Sequence, residues 1–143
     1  MVGNVEEHYK KEKYNNMYMN IASTVAEMSY CKRKQVGAVL IRDGRILSMG
    51  WNGTRAGESN NCEDEHNTTL PGVAHAEENC LKKLITSNDN SIDTTMYITA
   101  PPCLRCAEKI VDAKISSVYY AEKYGNDDGI DYLNKHNISI QML

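Results

Sequence analysis

Apolar residues along the chain follow two periods, which predict helices in some segments and strands in others. Over residues 8–29 they recur at steps of three and four, the spacing of an amphipathic helix. The apolar positions that define this helix are Tyr14, Met17, Ile21, Val25 and Met28. Two short apolar runs follow at residues 36–41 and 45–51, and the Asp-Gly dipeptide between them predicts a β-hairpin.

After a polar stretch over residues 52–74, helix-like and strand-like segments alternate to the end of the chain. Helices are predicted over residues 75–87, 103–114 and 127–136, and strands over residues 94–100, 116–122 and 138–143. Alternation of this kind predicts a three-layer α/β/α fold, with helices on both faces of a mixed sheet of about five strands. The last strand–helix–strand unit should place its two strands in parallel.

Length, composition and charge restrict the class of protein. A chain of 143 residues fits a single compact domain over residues 1–143, and 41% hydrophobic residues are ordinary for a globular protein. The sequence lacks an apolar run long enough for a membrane span, and its polar start lacks the core of a signal peptide. We therefore expect a cytoplasmic protein without a membrane partner. The net charge of -3 argues against nucleic acid as the main partner.

Five cysteines are an odd number for a chain without a signal peptide, so structural disulfides are not expected. Two of them, Cys103 and Cys106, form a C-x-x-C pair directly after two prolines, where a helix is predicted to start. Taken alone, this pair is consistent with a metal site, a redox dithiol or simple burial. Cys80 lies on the apolar side of its predicted helix and is expected in the core.

A second group of metal-binding residue types lies upstream, in the segment HAEENC. His75 precedes Cys103 by 28 positions, and with Cys106 they match the three protein ligands of a catalytic zinc. Two thiolates and a neutral imidazole balance the charge of Zn²⁺, and the fourth position is left for water. The dipole at a helix start also favours the thiolate forms.

Glu77 adds a group that transfers protons. It follows His75 by two positions, which point about 200° apart on a regular helix. Both can face one metal only if His75 caps the helix, so we expect the helix to begin at His75 or Ala76. H-x-E followed by P-C-x-x-C is the signature of zinc-dependent deaminases, in which the glutamate moves protons and does not bind the metal.

Four segments resemble deoxycytidylate (dCMP) deaminases of the cytidine deaminase superfamily. They are CKRKQVGAVL (31–40), GWNGTRAG (50–57), HAEENC (75–80) and TMYITAPPCLRCAEKIVDAKISSVYYAEKY (95–124). The resemblance implies the cytidine-deaminase fold and zinc-dependent hydrolysis of dCMP to dUMP and ammonia, which supplies dUMP for dTTP synthesis. Trp51 stands where the family usually has tyrosine, and TRAG replaces the more usual S-P-x-G.

The resemblance also implies a set of substrate-binding residues. Asn52 is expected to bond the sugar, and the backbone N–H of Ala76 to bond the pyrimidine carbonyl. Arg33 is expected to bind the 5′-phosphate, Tyr124 to pack near the base, and Pro102 belongs to the same set. Each assignment has a structural alternative: Asn52 in a turn, Tyr124 in the core, or Arg33 in solvent.

Relatives of this family are typically hexamers that dCTP with Mg²⁺ activates and dTTP inhibits at a site between subunits. The resemblance therefore implies a homo-oligomer, with a hexamer favoured. The loop after residue 50 is expected to line the effector site through Gly53, Thr54 and Arg55, with Glu63, Asp64 or Glu65 holding the magnesium. A loop that only closes over the substrate is an equal alternative.

Some relatives hold a second, structural zinc beside the same loop, and Cys31, Cys62 and His66 are the candidates for it here.

Other functions use parts of this pattern. A polynucleotide deaminase would share the zinc site, but the sequence has no aromatic and basic stripe. A nucleoside deaminase would have no use for Arg33, and dCTP as a further substrate stays open. A structural zinc normally has four protein ligands, and a thiol oxidoreductase would leave His75 and Glu77 without a role.

Overall fold

A computed structural model describes residues 2–143, with side chains described from residue 7 onward. In that range the chain forms four helices and five strands. In chain order they are α1 (Val2–Ala26), β1 (Gly37–Arg42), β2 (Arg45–Trp51), α2 (Ala76–Leu84), β3 (Thr95–Ile98), α3 (Leu104–Asp112), β4 (Ser117–Tyr120), α4 (Asp128–Lys135) and β5 (Ser139–Met142). Each element lies within a few residues of a predicted segment, except that α1 begins six residues earlier than the predicted start at residue 8.

The five strands form one mixed sheet in the order β2-β1-β3-β4-β5. Strand β1 pairs antiparallel with β2 and β3, whereas β3, β4 and β5 run parallel. The predicted parallel pairing of the last two strands is confirmed. The turn of the hairpin consists of Asp43 and Gly44, which both have positive φ (52° and 73°), as the Asp-Gly dipeptide predicts.

Side chains of β1 alternate between two apolar layers. Ala38 and Leu40 belong to the larger core, formed with residues of α2, α3 and α4. Val39 and Ile41 point to the other face and pack with residues of α1. Helices therefore cover both faces of the sheet, and the predicted three-layer α/β/α fold is confirmed.

The prediction is wrong about which face of α1 is buried. Tyr14, Met17 and Met28 expose 46%, 43% and 56% of their surface. The buried residues among the described side chains of α1 are Asn15, Tyr18, Met19, Ala22, Val25 and Ala26. Of the predicted set, Val25 is buried and Ile21 packs, partly buried, against the same core. Asn15 tolerates burial because its side-chain oxygen accepts a 2.5 Å hydrogen bond from the hydroxyl of Tyr97. Neither α1 nor any other helix in residues 2–143 combines the length and apolar content that a membrane crossing requires.

Two glycines allow helices to lie directly against the hairpin. A Cβ atom on Gly37 would lie 2.1 Å from the carbonyl oxygen of Ala22 in α1. A Cβ atom on Gly50 would lie 2.3 Å from the backbone nitrogen of Cys80 in α2. These separations are shorter than any non-bonded contact, so both positions require glycine. Gly50 thereby sets the distance between β2 and α2.

Contrary to the expectation from the sequence, Cys31 and Cys62 form a disulfide. It joins the segment after α1 to the loop between β2 and α2, in a small buried cluster with Val73. The remaining cysteines, Cys80, Cys103 and Cys106, are free, and Cys80 is buried as predicted. An odd number of cysteines therefore does not exclude a disulfide. Two of the five are bonded to each other, and the other three remain free.

The disulfide determines how many thiols an alkylating reagent can reach. Protein denatured in the presence of a chelator but without reductant should gain three groups per chain, one at each free cysteine. After reduction it should gain five, the number of cysteines in the sequence. Mass spectrometry of the intact chain counts the groups.

The matched control is the double variant Cys31→Ser/Cys62→Ser, which should give the same count with and without reductant. Five groups on the unreduced native sequence would contradict the disulfide.

Candidate metal centre and active site

Helices α2 and α3 each begin at a residue that the sequence assigns to the metal. His75 is the N-cap of α2 and Cys103 is the N-cap of α3, both with extended backbone (ψ 161° and 172°). The N–H of Asn79 bonds to the carbonyl of His75, and the N–H of Ala107 bonds to that of Cys103. The expected start of α2 at His75 or Ala76 is therefore confirmed. At this cap position the side chain of His75 leaves the regular helix surface.

The three predicted metal ligands lie together. The Nδ1 atom of His75 is 3.2 Å from Sγ of Cys106 and 3.5 Å from Sγ of Cys103. All three ligand atoms lie within 4.8 Å of one another. Zinc–sulfur bonds of about 2.3 Å and zinc–nitrogen bonds of about 2.0 Å at tetrahedral angles require nitrogen–sulfur separations of about 3.6 Å. The donor set and its spacing thus fit a zinc ion with three protein ligands.

Contacts among these three side chains favour a thiolate at Cys103. Hydrogen bonding from the Cys106 thiol lowers the pKa of Cys103, and a second bond from His75 opposes the effect of burial. The same bond to Cys103, together with burial, raises the pKa of Cys106. Bonding to Cys103 also raises the pKa of His75. A thiolate is the form of cysteine that binds metal, so the site holds one sulfur ready for it.

Glu77 lies beside the cluster in the first turn of α2. Its side chain is 3% exposed, and its carboxylate is not part of the cluster of ligand atoms found among the described residues. Burial raises the pKa of Glu77 to about 7. A carboxyl with such a pKa can both accept and release a proton near neutral pH. Its neighbour Ala76 is fully buried, and its N–H is among those that a helix start leaves without a partner in the helix.

Glu78 connects the two ligand-bearing helices. Its Oε1 atom accepts hydrogen bonds from the backbone N–H of His75 (3.0 Å) and from Nη2 of Arg105 (2.7 Å). Its Oε2 atom accepts one from Nζ of Lys109. Burial acts to raise the pKa of Glu78, but these hydrogen bonds and the charge of Arg105 lower it to about 2.

The sequence reasoning did not identify Glu78, Arg105 or Lys109. The sequence carries one signal for Glu78: it is an acidic residue three positions after the helix cap, which is the spacing of a capping box.

The amide of Asn52 bonds within the protein. Its Oδ1 atom accepts the N–H of Val36 at 2.9 Å, and its Nδ2 atom donates to the carbonyl of Lys34 at 2.8 Å. These bonds tie the loop after β2 to the segment before β1. The contact of Asn52 with a sugar stays a prediction, and it would use the remaining N–H of the amide.

Arg33 bonds to the loop before α2, whereas Lys34 lies beside Tyr124. The Nη1 atom of Arg33 donates to the hydroxyl of Thr69 at 3.3 Å, on the loop before α2. Lys34 forms an ion pair with Glu122, and its Nζ lies 5.0 Å from the ring centroid of Tyr124. The structure therefore offers a second positive group, next to the residue expected beside the base.

Pro102 is buried directly before the cysteine ligands, where α4 packs against it. A Cβ atom on Gly129 of α4 would lie 1.9 Å from the carbonyl oxygen of Pro102. Only glycine allows this approach, so α4 supports the segment from which Cys103 projects.

The residues expected at an effector site line one cavity. Gly53, Thr54 and Arg55 surround about 150 Å³ together with Tyr30 and Trp51. This volume is below the roughly 300–1,000 Å³ of pockets that enclose a small ligand. One chain alone therefore does not enclose a nucleotide here.

The loop carboxylates have other partners than a magnesium ion. Glu63 is buried, and its carboxylate accepts the N–H groups of Lys32 and Arg33. Asp64 accepts the N–H groups of His66 and Thr68. These bonds shape the loop. Glu63 is buried, whereas Asp64 and Glu65 both lie at the surface.

The structure does not assemble Cys31, Cys62 and His66 as a second zinc site. The two sulfurs are bonded to each other, and the side chain of His66 is 80% exposed. Glu63 takes the position beside the two cysteines that His66 was expected to occupy.

A larger cavity of about 440 Å³ lies between α1 and strands β3 and β4. It is lined by Lys10, Tyr14, Tyr97 and Tyr119, among others, and by none of the residues assigned to the site. It opens on the α1 face of the sheet, whereas α2 and α3 carry the metal ligands on the other face.

Comparison with known proteins agrees with this geometry. Residues 12–122 match the family described as "Cytidine and deoxycytidylate deaminase zinc-binding region". Deoxycytidylate deaminase of Saccharomyces cerevisiae is 33% identical over 125 residues, covering 80% of this chain and 39% of the yeast protein. Deoxycytidylate deaminase of Mycobacterium phage D29 is 31% identical over 124 residues, covering 77% of this chain and 95% of the phage protein.

A solved structure extends the comparison to the whole fold. The dCMP deaminase of cyanophage S-TIM5, crystallised with dCMP and dUMP, has a TM-score of 0.89 and 36% identity. The match covers 92% of this chain and 97% of the cyanophage chain. The chain thus spans less than half of the yeast relative but nearly all of the two viral ones. It belongs to the cytidine and deoxycytidylate deaminase family.

Proposed function

We propose that this chain is a zinc-dependent hydrolase that converts dCMP to dUMP and ammonia, with residues 1–143 forming one deaminase domain. The observation that carries the proposal is the meeting of His75, Cys103 and Cys106 beside the buried carboxyl of Glu77. When bound, the zinc supplies Lewis acidity that lowers the pKa of water toward neutrality. The likeness to a dCMP deaminase crystallised with dCMP and dUMP supports the choice of substrate.

In this proposal Glu77 moves the protons of the reaction. Its carboxylate takes a proton from the water that adds to C4 and gives it to N3 of the cytosine ring. It then takes the proton of the new C4 hydroxyl and gives it to the amino group, which leaves as ammonia while C4 becomes a carbonyl. Burial suits this role, because a carboxyl shielded from water keeps its proton near neutral pH until the substrate takes it. The N–H of Ala76 holds the pyrimidine carbonyl, and Pro102 and Tyr124 bound the space for the base.

The phosphate and the sugar are recognised at the rim formed by the segment before β1 and the loop after β2. Asn52 already fixes these two segments to each other, so a sugar bonded to its remaining N–H meets a rigid group. Arg33 is the phosphate ligand in this proposal, with Lys34 nearby. The product dUMP would serve dTTP synthesis in the cytoplasm.

We further propose a homo-oligomer, with a hexamer favoured, in which dCTP with Mg²⁺ activates and dTTP inhibits. The exposed apolar side chains of Tyr14 and Met17 on α1, and of Met28 just after its end, support an interface between subunits. The small cavity at Gly53, Thr54 and Arg55 supports an effector site that a partner subunit completes.

Ammonia release tests the substrate. The rate should be high with dCMP and much lower with deoxycytidine and single-stranded DNA, while dCTP decides whether the triphosphate also fits. Arg33→Ala should raise KM for dCMP about 10–100-fold, since a charged hydrogen bond to the phosphate contributes roughly 1.5–3 kcal/mol.

Lys32→Ala, at an exposed neighbour, is the matched control and should leave KM unchanged. An increase of KM in Lys34→Ala but not in Arg33→Ala would move the phosphate contact to Lys34. Equal rates with dCMP and deoxycytidine would contradict recognition of a nucleotide.

Glu77→Gln separates proton transfer from metal binding. The variant should keep about one zinc per chain while turnover falls by about 10²–10⁴-fold, because an amide cannot exchange the protons. Metal analysis and single-substrate kinetics measure the two quantities on the same sample. Loss of zinc in Glu77→Gln would show that Glu77 is a ligand instead.

Effector control should appear in the dependence of rate on dCMP concentration. The curve is expected to be sigmoidal, to become hyperbolic with dCTP and Mg²⁺, and to fall with dTTP, because each effector prefers a different state of the assembly. Arg55→Ala should remove both effects and keep the rate at saturating dCMP. A hyperbolic curve that neither nucleotide changes would leave an unregulated enzyme.

A further inference from the structure

The metal ligands project from two short helices that the chain connects only through a long path. His75 begins α2, while Cys103 and Cys106 lie at the start of α3. Cys103 follows His75 by 28 positions, and the chain between them includes strand β3. A tetrahedral metal tolerates only small errors in the positions of its ligands. Something must therefore hold the start of α2 at a fixed distance from the start of α3.

The carboxylate of Glu78 lies between the two helices and bonds to both. It takes the backbone N–H of the histidine ligand on one side and the side chains of Arg105 and Lys109 on the other. One oxygen, Oε1, accepts both the backbone N–H of His75 and Nη2 of Arg105, so it bridges the backbone of one ligand and a side chain of α3.

The two cations on α3 are placed to receive one carboxylate. Arg105 stands between the two cysteine ligands in sequence, and Lys109 follows it by four positions, so both lie on the same face of α3. Two positive side chains at this spacing repel each other unless an anion lies between them. Glu78 supplies that anion, and its own side chain is only 18% exposed.

We infer that Glu78 is a positioning residue that, through Arg105 and Lys109, fixes the separation of the two helix starts and thereby the geometry of the three metal ligands. The inference rests on the proposed zinc site and concerns how tightly and in what geometry that site holds the metal.

Glu78 also occupies the N3 position of α2, where a glutamate or glutamine caps a helix by accepting the N–H of the cap residue. Capping alone would explain its bond to His75 but not its bonds to α3. Glu78→Gln separates the two roles, because glutamine keeps a carbonyl acceptor for His75 and loses the charge that binds Arg105 and Lys109.

The experiment measures zinc loss from the purified holoenzyme to an excess of chelator. Glu78→Gln and the double variant Arg105→Ala/Lys109→Ala should each lose zinc about 10–100-fold faster, the usual effect of removing a group that orients metal ligands. Arg105 and Lys109 are 49% and 45% exposed, so their removal leaves the core intact. Glu108→Gln, at an exposed carboxylate on the same helix, is the control and should lose zinc at the native rate.

A triple variant tests whether the three residues act as one unit. Glu78→Gln combined with Arg105→Ala/Lys109→Ala should lose zinc no faster than the double variant, because all three changes remove the same link. Cobalt exchanged for zinc should show shifted absorption bands in Glu78→Gln and the native spectrum in Glu108→Gln. These bands report the ligand geometry directly.

Native rates of zinc loss and native cobalt spectra in both Glu78→Gln and Arg105→Ala/Lys109→Ala would overturn the inference and leave Glu78 as a helix cap. Additive acceleration in the triple variant would also overturn it. If the unaltered protein binds neither zinc nor cobalt, the proposed function itself fails, which is a different result from either of these.

Discussion

The structure depends on the starts of helices α2 and α3, which lie next to each other. A helix start presents unpaired N–H groups and a positive end of its dipole, and both favour thiolates and an anionic site nearby. His75 and Cys103 occupy the cap positions, where the backbone is still extended, so their side chains can turn toward each other. Gly50 and Gly129 permit this arrangement, since any larger residue would push α2 or α4 away from it.

Two adjacent glutamates acquire opposite properties from their surroundings. Glu77 is buried, and this burial raises its pKa to about 7. Glu78 accepts hydrogen bonds from two cationic side chains and a backbone N–H, and its pKa falls to about 2. One carboxyl is thus suited to exchange protons, and the other remains an anion that links α2 to α3.

Features that depend on local chemistry were predictable from the sequence. The Asp-Gly turn and the cap at His75 follow from residue type and spacing. The cluster of His75 with the two cysteines is a distant contact, and it was predictable because H-x-E and P-C-x-x-C together form a known signature. Other features that depend on distant contacts were not. Asn15 is buried because Tyr97, 82 positions away, bonds to it, and Glu78 meets Arg105 across 27 positions. The disulfide likewise joins cysteines 31 positions apart, which an odd count of cysteines does not reveal.

The division of the ligands between two helix starts limits how this centre can be transplanted. A peptide that contains P-C-x-x-C would carry both sulfurs but neither the imidazole nor the second helix start. A host scaffold would need two helices that begin side by side, a strand that approaches one of them through a glycine, and a glycine-bearing helix behind the other. The smallest unit that could be transferred is therefore this set of packed helices and strand, and a linear motif alone would not reproduce the site.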